Sequence, residues 1–118
     1  MERDLYVTAA TDLGTISVSS GAIAQIVGHA AVESYGVVAL ASPSWWGRLL
    51  PFGATKGVRV ERRDGGVAID LHVVIEQGLN LAEVGAAVRA RIAHEVERHT
   101  GLQVVEIEVH IDRVRQSR

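Results

Sequence analysis

The sequence predicts an α+β fold of two layers, with two helices packed on one face of a mixed or mostly antiparallel sheet. Three observations lead there. Two segments carry apolar residues at helical spacing on one side only: Ile23, Ile26, Val27, Ala30 and Ala31 in the first, and Leu81, Val84, Val88, Ile92 and Val96 in the second. Shorter segments alternate apolar and polar residues with the period of a half-buried strand. One-sided helices and one-sided strands bury each other most simply as two layers. The 118 residues suit one domain, and 47% hydrophobic with 22% charged residues is a globular balance.

Each element has a local reason. Residues 1–12 are mixed and read as a partly ordered entry. Across Thr15–Ser19, Ile16 and Val18 face one way and Thr15 and Ser17 the other, as in a short strand. Ser19 or Ser20 then caps a helix reaching about Ser34, and Gly36 suits a left-handed end. Ala24, Gly28 and Ala31 share a face of that helix, which predicts a close approach to its neighbour. Val37–Ala41 is a second short strand. Ser42–Thr55, with two prolines, two glycines and three aromatics, is a loop.

Gly57–Arg63 and Val67–Glu76 form a hairpin through Asp64-Gly65-Gly66. Asn80 caps the second helix, with Glu83 three residues on, and Thr100-Gly101 ends it. Gln103–Val114 alternates as a last strand, leaving Gln116–Arg118 as a tail. The predicted order is β-α-β-β-β-α-β in one domain over 1–118, with its core between about residues 7 and 114.

Charge narrows the function. Twelve Lys/Arg against fourteen Asp/Glu give a net charge of −2, which argues against a general polyanion binder. No cysteine is present, so disulfides, thiolate catalysis and cysteine-bound metals are excluded. Leu13–Val32 is free of formal charge over the length of a membrane span, but it holds six polar side chains and changes period midway. Met-Glu-Arg-Asp lacks the start of a signal peptide, so a soluble, unexported chain is expected.

Catalytic signatures are missing. No Gly-x-Ser-x-Gly or His-Glu-x-x-His occurs, and no two of the twelve glycines are spaced two or three apart. That removes the Gly-x-Gly of a dinucleotide turn and the Gly-x-x-Gly of a KH module. The last strand sends Val105, Ile107, Val109 and Ile111 one way and Glu106, Glu108, His110 and Asp112 the other. The hairpin strand sends Asp70, His72 and Glu76 outward. Were these strands adjacent, His72 and His110 would share a face with several carboxylates, as in a metal site. No tight spacing sets them side by side, so a solvated sheet face is the expected reading. No catalytic residue, cofactor or metal ligand is assigned. On the second helix, Arg91 with Glu95 reads as an exposed i, i+4 pair, and His94 and His99 point apart.

What remains is the loop Pro43-Ser-Trp-Trp-Gly-Arg-Leu-Leu-Pro-Phe-Gly53. Trp45, Trp46, Leu49, Leu50 and Phe52 either fold back over the core or are presented to a partner or membrane surface. They are the candidate partner-binding residues.

An ordered series of short matches resembles the bacterial alkaline-shock and general-stress protein family, also called the envelope stress response family, from about residue 7 to 114. It runs through Gly14-Thr-Ile-Ser-Val, Ile23-Ala-Gln-Ile, Tyr35-Gly36-Val37, Lys56-Gly57-Val58-Arg-Val, Val67-Ala-Ile-Asp-Leu and Val74-Ile-Glu-Gln-Gly78. It continues with Leu81-Ala-Glu-Val84, Glu97-Arg-His-Thr-Gly101-Leu and Val105-Glu-Ile-Glu-Val-His-Ile. Gln77 stands where the family commonly has Tyr, and Ala82 where it commonly has Pro.

The resemblance implies a bacterial, cytoplasmic-side, non-enzymatic protein of envelope homeostasis and stress. It also implies a protein partner, in some members membrane-anchored, and self-association or peripheral membrane attachment. Neither nucleic acid nor a small-molecule substrate is expected. Two other classes stay open at this point: a nucleic-acid- or ribosome-associated module, and a metal-dependent enzyme on the His72/His110 face. The Trp loop lies where the family varies, so its role comes from its own residues.

Overall fold

The computed structural model describes residues 5–41 and 57–116. In chain order the elements are β1 (Leu5–Thr11), β2 (Gly14–Ser19), α1 (Ser20–Val32), β3 (Val37–Leu40), β4 (Val58–Arg63), β5 (Gly66–Glu76), α2 (Leu81–Thr100) and β6 (Val104–Arg115). The predicted order is present, with one strand added in front. Residues 5–11, expected to be a loosely ordered entry, pair antiparallel with β2 in a separate two-stranded ribbon. Val7, Leu13 and Ile16 of this hairpin are exposed, whereas Tyr6 is buried in the main core. The Arg62 guanidinium lies 4.4 Å from the centre of the Tyr6 ring and donates to the Leu5 carbonyl at 2.6 Å. This contact spans most of the distance between the N-terminus and β4, which is why local pattern did not reveal the strand.

The main sheet is mixed and centred on β5. β6 runs parallel to β5 from Val67↔Val104 to Glu76↔Arg115. β4 pairs antiparallel with the first half of β5 (Arg63↔Gly66 to Val58↔Leu71) and β3 with the second (Leu40↔Val73, Val37↔Ile75). Since β6 occupies one edge of β5, β3 and β4 lie end to end along the other. A parallel neighbour requires a crossover, and α2 supplies it. β6 gains one residue on β5 at Val105 and another at Asp112, two bulges in an otherwise regular ladder. The first explains why Val105 is exposed despite its place in the alternation.

The caps follow the sequence. Ser19 Oγ accepts from the Ala22 N–H and Asn80 Oδ1 from the Glu83 N–H, both at 3.0 Å. Helix α1 ends slightly early, capped at Glu33, and α2 ends on left-handed Gly101. Asn80→Ala is expected to cost about 1 kcal/mol, read as a lower denaturation midpoint; an unchanged midpoint would mean that the cap is redundant.

The core lies between the helices and one sheet face. Ile23, Val27, Ile69, Leu71, Val73, Ile75, Val88, Ile92 and Val96 are all fully or almost fully buried. Leu81, expected in the α2 stripe, is exposed at the start of the helix. The small-residue face of α1 does permit close packing: a Cβ on Gly28 would lie 3.4 Å from Leu40 on β3. The close approach is therefore helix to sheet. Among the described residues, no helix is long and apolar enough to cross a membrane.

Candidate functional site

The sheet face away from the helices carries the densest set of chemically capable side chains. Directly opposed residues on paired strands point to the same side. The registers therefore place Arg59, Asp70 and Glu108 in one row across β4, β5 and β6, and His72 beside His110 in the next. The sequence left these two histidines without fixed neighbours; the parallel pairing puts them in contact. Their rings stack with centroids 4.4 Å apart and planes 15° from parallel. His72 is the better covered, at 16% exposure against 43% for His110. The His72 Nδ1–H donates to the Asp112 carboxylate, at 3.0 and 3.1 Å to its two oxygens.

The face divides electrostatically. On the β4 side two arginines balance the acids: Glu61 is paired with both Arg59 and Arg63, and Arg63 also lies 3.7 Å from Glu106. The hydrogen bond from Arg63 outweighs the opposing effect of burial and, with the charges of both arginines and the hydrogen bond from Arg59, holds the Glu61 carboxyl below its usual range. On the β6 side the balance changes. Glu108 has His110 as its ion-pair partner, at 3.5 Å, and Asp70 lies between Arg59 at 3.9 Å and His110 at 3.7 Å. Asp70, Glu108 and His110 offer three donor atoms within 4.8 Å of one another.

A second concave surface separates the helices. A groove of about 560 Å³ has Ala22, Ile26 and Ala30 along its floor and His29, Glu33, Arg91, Glu95 and His99 at its rim. Here one expected pairing is corrected. Arg91 does not pair with Glu95 four residues on but with Glu33 across the groove at 3.1 Å, while Glu95 holds Arg98 and His99. Packing brings α1 within reach of Arg91, and an exposed i, i+4 pair contributes only about 0.3–0.5 kcal/mol, too little to prevent the exchange. His29 is an exposed rim residue paired with Glu33 at 3.0 Å.

The candidate contact residues Trp45, Trp46, Leu49, Leu50 and Phe52 lie outside the described residues. The two ends of their segment are described, and they meet. The Ala41 N–H donates to the His72 carbonyl at 2.9 Å and the His72 N–H donates to the Gly57 carbonyl at 2.8 Å. Ala41 and Gly57, the described residues on either side of 42–56, therefore meet on one edge of β5 at a single residue, His72. Local sequence marked the segment as a loop but had no signal for this closure, because Ala41 and Gly57 become neighbours only through β5.

Comparison with known proteins places the chain. It is 30% identical over 107 residues to the uncharacterized protein Spy1614 of Streptococcus pyogenes serotype M6, covering 86% of this chain and 88% of that protein. It is 28% identical over 114 residues to the uncharacterized protein YloU of Bacillus subtilis, covering 89% and 92%. It is also 33% identical over 104 residues to the uncharacterized protein YqhY of the same species, covering 86% and 77%. No solved structure matches the chain. The profile of a family with cell envelope-related function matches residues 8–116, almost the whole described fold. The chain belongs to that family, the alkaline-shock family ASP23.

Proposed function

We propose that this envelope-related protein is a non-enzymatic adaptor or self-associating scaffold of the envelope stress response, working through protein–protein contacts on the cytoplasmic side of the membrane. One observation carries most of the reading. The segment richest in large apolar and aromatic residues is rooted at one point of the sheet edge, where Ala41 and Gly57 both bond His72. A segment of two tryptophans, two leucines and a phenylalanine whose flanking residues are joined at one point of the sheet suits an anchor for a protein partner. Interface hot spots favour such aromatic residues, set on scaffolds that need little ordering to bind. The partner can itself be membrane-anchored, which would hold this chain at the membrane.

The test is the double substitution Trp45→Ser with Trp46→Ser in the full chain. Self-association and recovery with the membrane fraction are expected to fall at least tenfold, about 1.4 kcal/mol of contact energy. The thermal midpoint should move by no more than about 2 °C. A large fall in the midpoint with association unchanged would show a loop packed on its own domain and end this reading.

A further inference from the structure

We propose that Asp70, Glu108 and His110 form a binding site for a divalent transition-metal cation of the zinc class on the open face of the sheet. The distances separate this cluster from the other histidine–carboxylate pairs. His29 with Glu33 and His99 with Glu95 sit at 3.0 and 3.1 Å, ordinary hydrogen-bond lengths. In the sheet cluster, His110 Nε2 lies 3.7 Å from Asp70 Oδ1 and 3.5 Å from Glu108 Oε1. Those separations are long for hydrogen bonds. They approach the edges of a coordination tetrahedron, about 3.3–3.4 Å for metal–ligand bonds of about 2.0–2.1 Å.

The backbone supplies the arrangement. Glu108 and His110 are two apart on β6 and so share its outer face, while Asp70 is the register partner of Glu108 on β5. Two carboxylates opposite each other repel, and a cation between them removes that repulsion. Two arginines lie beside the trio and both are tied to Glu61: Arg59 reaches Asp70 at 3.9 Å, and Arg63, also drawn to Glu106, acts on Asp70 by charge alone. The His110 ring has a neighbour on one face. It stacks on His72, whose own ring is held by the Asp112 carboxylate.

One imidazole and two carboxylates favour zinc-class ions over magnesium or calcium, which prefer all-oxygen shells. All three side chains are partly exposed, so a bound ion would keep a position for water or for a donor from another molecule. The site rests on the sheet register alone and stands or falls independently of the adaptor reading.

Calorimetric titration of Zn²⁺ into the untagged full chain, in a non-chelating buffer near pH 7, is the test. One Zn²⁺ per chain is expected, with no comparable heat from Mg²⁺. His110→Ala and Glu108→Gln should each weaken Zn²⁺ binding at least tenfold while leaving the EDTA-treated thermal midpoint unchanged, since both side chains are exposed. Zn²⁺ should raise the midpoint of the native chain and not that of Glu108→Gln. Substituting His29 and His99 by Ala, which removes the helix pairs, should leave the affinity as it was. No zinc heat from the native chain, equal affinity after His110→Ala, or loss of binding after the helix substitutions would each overturn the site.

Discussion

Leu71→Ala is expected to destabilise the protein by about 3–5 kcal/mol, the upper part of the range for leucine truncation in a packed core. Leu71 is fully buried at the middle of β5, in one row with Val58 on β4 and Val109 on β6. The helices cover that row from above. Three hydrogen-bonded strands cannot draw together to fill the space of an isobutyl group, so most of the cavity persists. The transfer energy of the lost carbons and the missing dispersion contacts then add. For a chain of this size the thermal midpoint should fall by roughly 10–20 °C. Leu81→Ala, at an exposed position, should change stability by about 0.5 kcal/mol or less. A loss below about 1 kcal/mol at Leu71 would mean that the layers can close over the gap, contrary to the packing described.

Gly57→Ala should be nearly as damaging, for a reason that links stability to the proposed contact loop. Gly57 has φ +77°, and a Cβ there would sit 2.5 Å from the Ala41 carbonyl oxygen and 3.1 Å from that of His72. Both obstacles are backbone and cannot swing aside. Gly101 provides the control: it has the same φ and nothing within 4 Å of its Cβ position. Gly101→Ala therefore reports left-handed strain alone, about 1–2 kcal/mol. Gly57→Ala adds the cost of prising Ala41 from the sheet edge, for a total of about 3–4 kcal/mol. Paired denaturation curves give the difference directly. Equal losses would show that Ala41 and Gly57 can part without penalty.

Much of the architecture is legible in the sequence. The α1 and α2 stripes, the Ser19 and Asn80 caps, the Gly101 end, the β4–β5 hairpin and the alternation of β6 all depend on residues a few positions apart. Side-chain period, capping oxygens and glycine turns act at that range, so the order of elements and the two-layer class followed. The functional surfaces were less legible. The sequence assigned outward faces to Asp70, His72, Glu108 and His110 but not their neighbours, because alternation fixes the face of a strand and not which strand it pairs with or the even-step register between them.

Length, charge, the absence of cysteine, the helix stripes and the ordered family matches belong to the sequence alone, since each is a property of the chain or of a single turn or stretch of it. The tertiary structure decided that residues 5–11 are a strand, held by Tyr6 against Arg62. It also gave Arg91 its partner on α1, brought Ala41 and Gly57 together on His72, and set Asp70 beside Glu108 and His72 beside His110. Residues so far apart in the chain meet only when burial of the apolar faces fixes one register among several that local preference would allow. Ala41 and Gly57, which flank the tryptophan segment, and the histidine–carboxylate cluster therefore meet at His72, a junction set by that register.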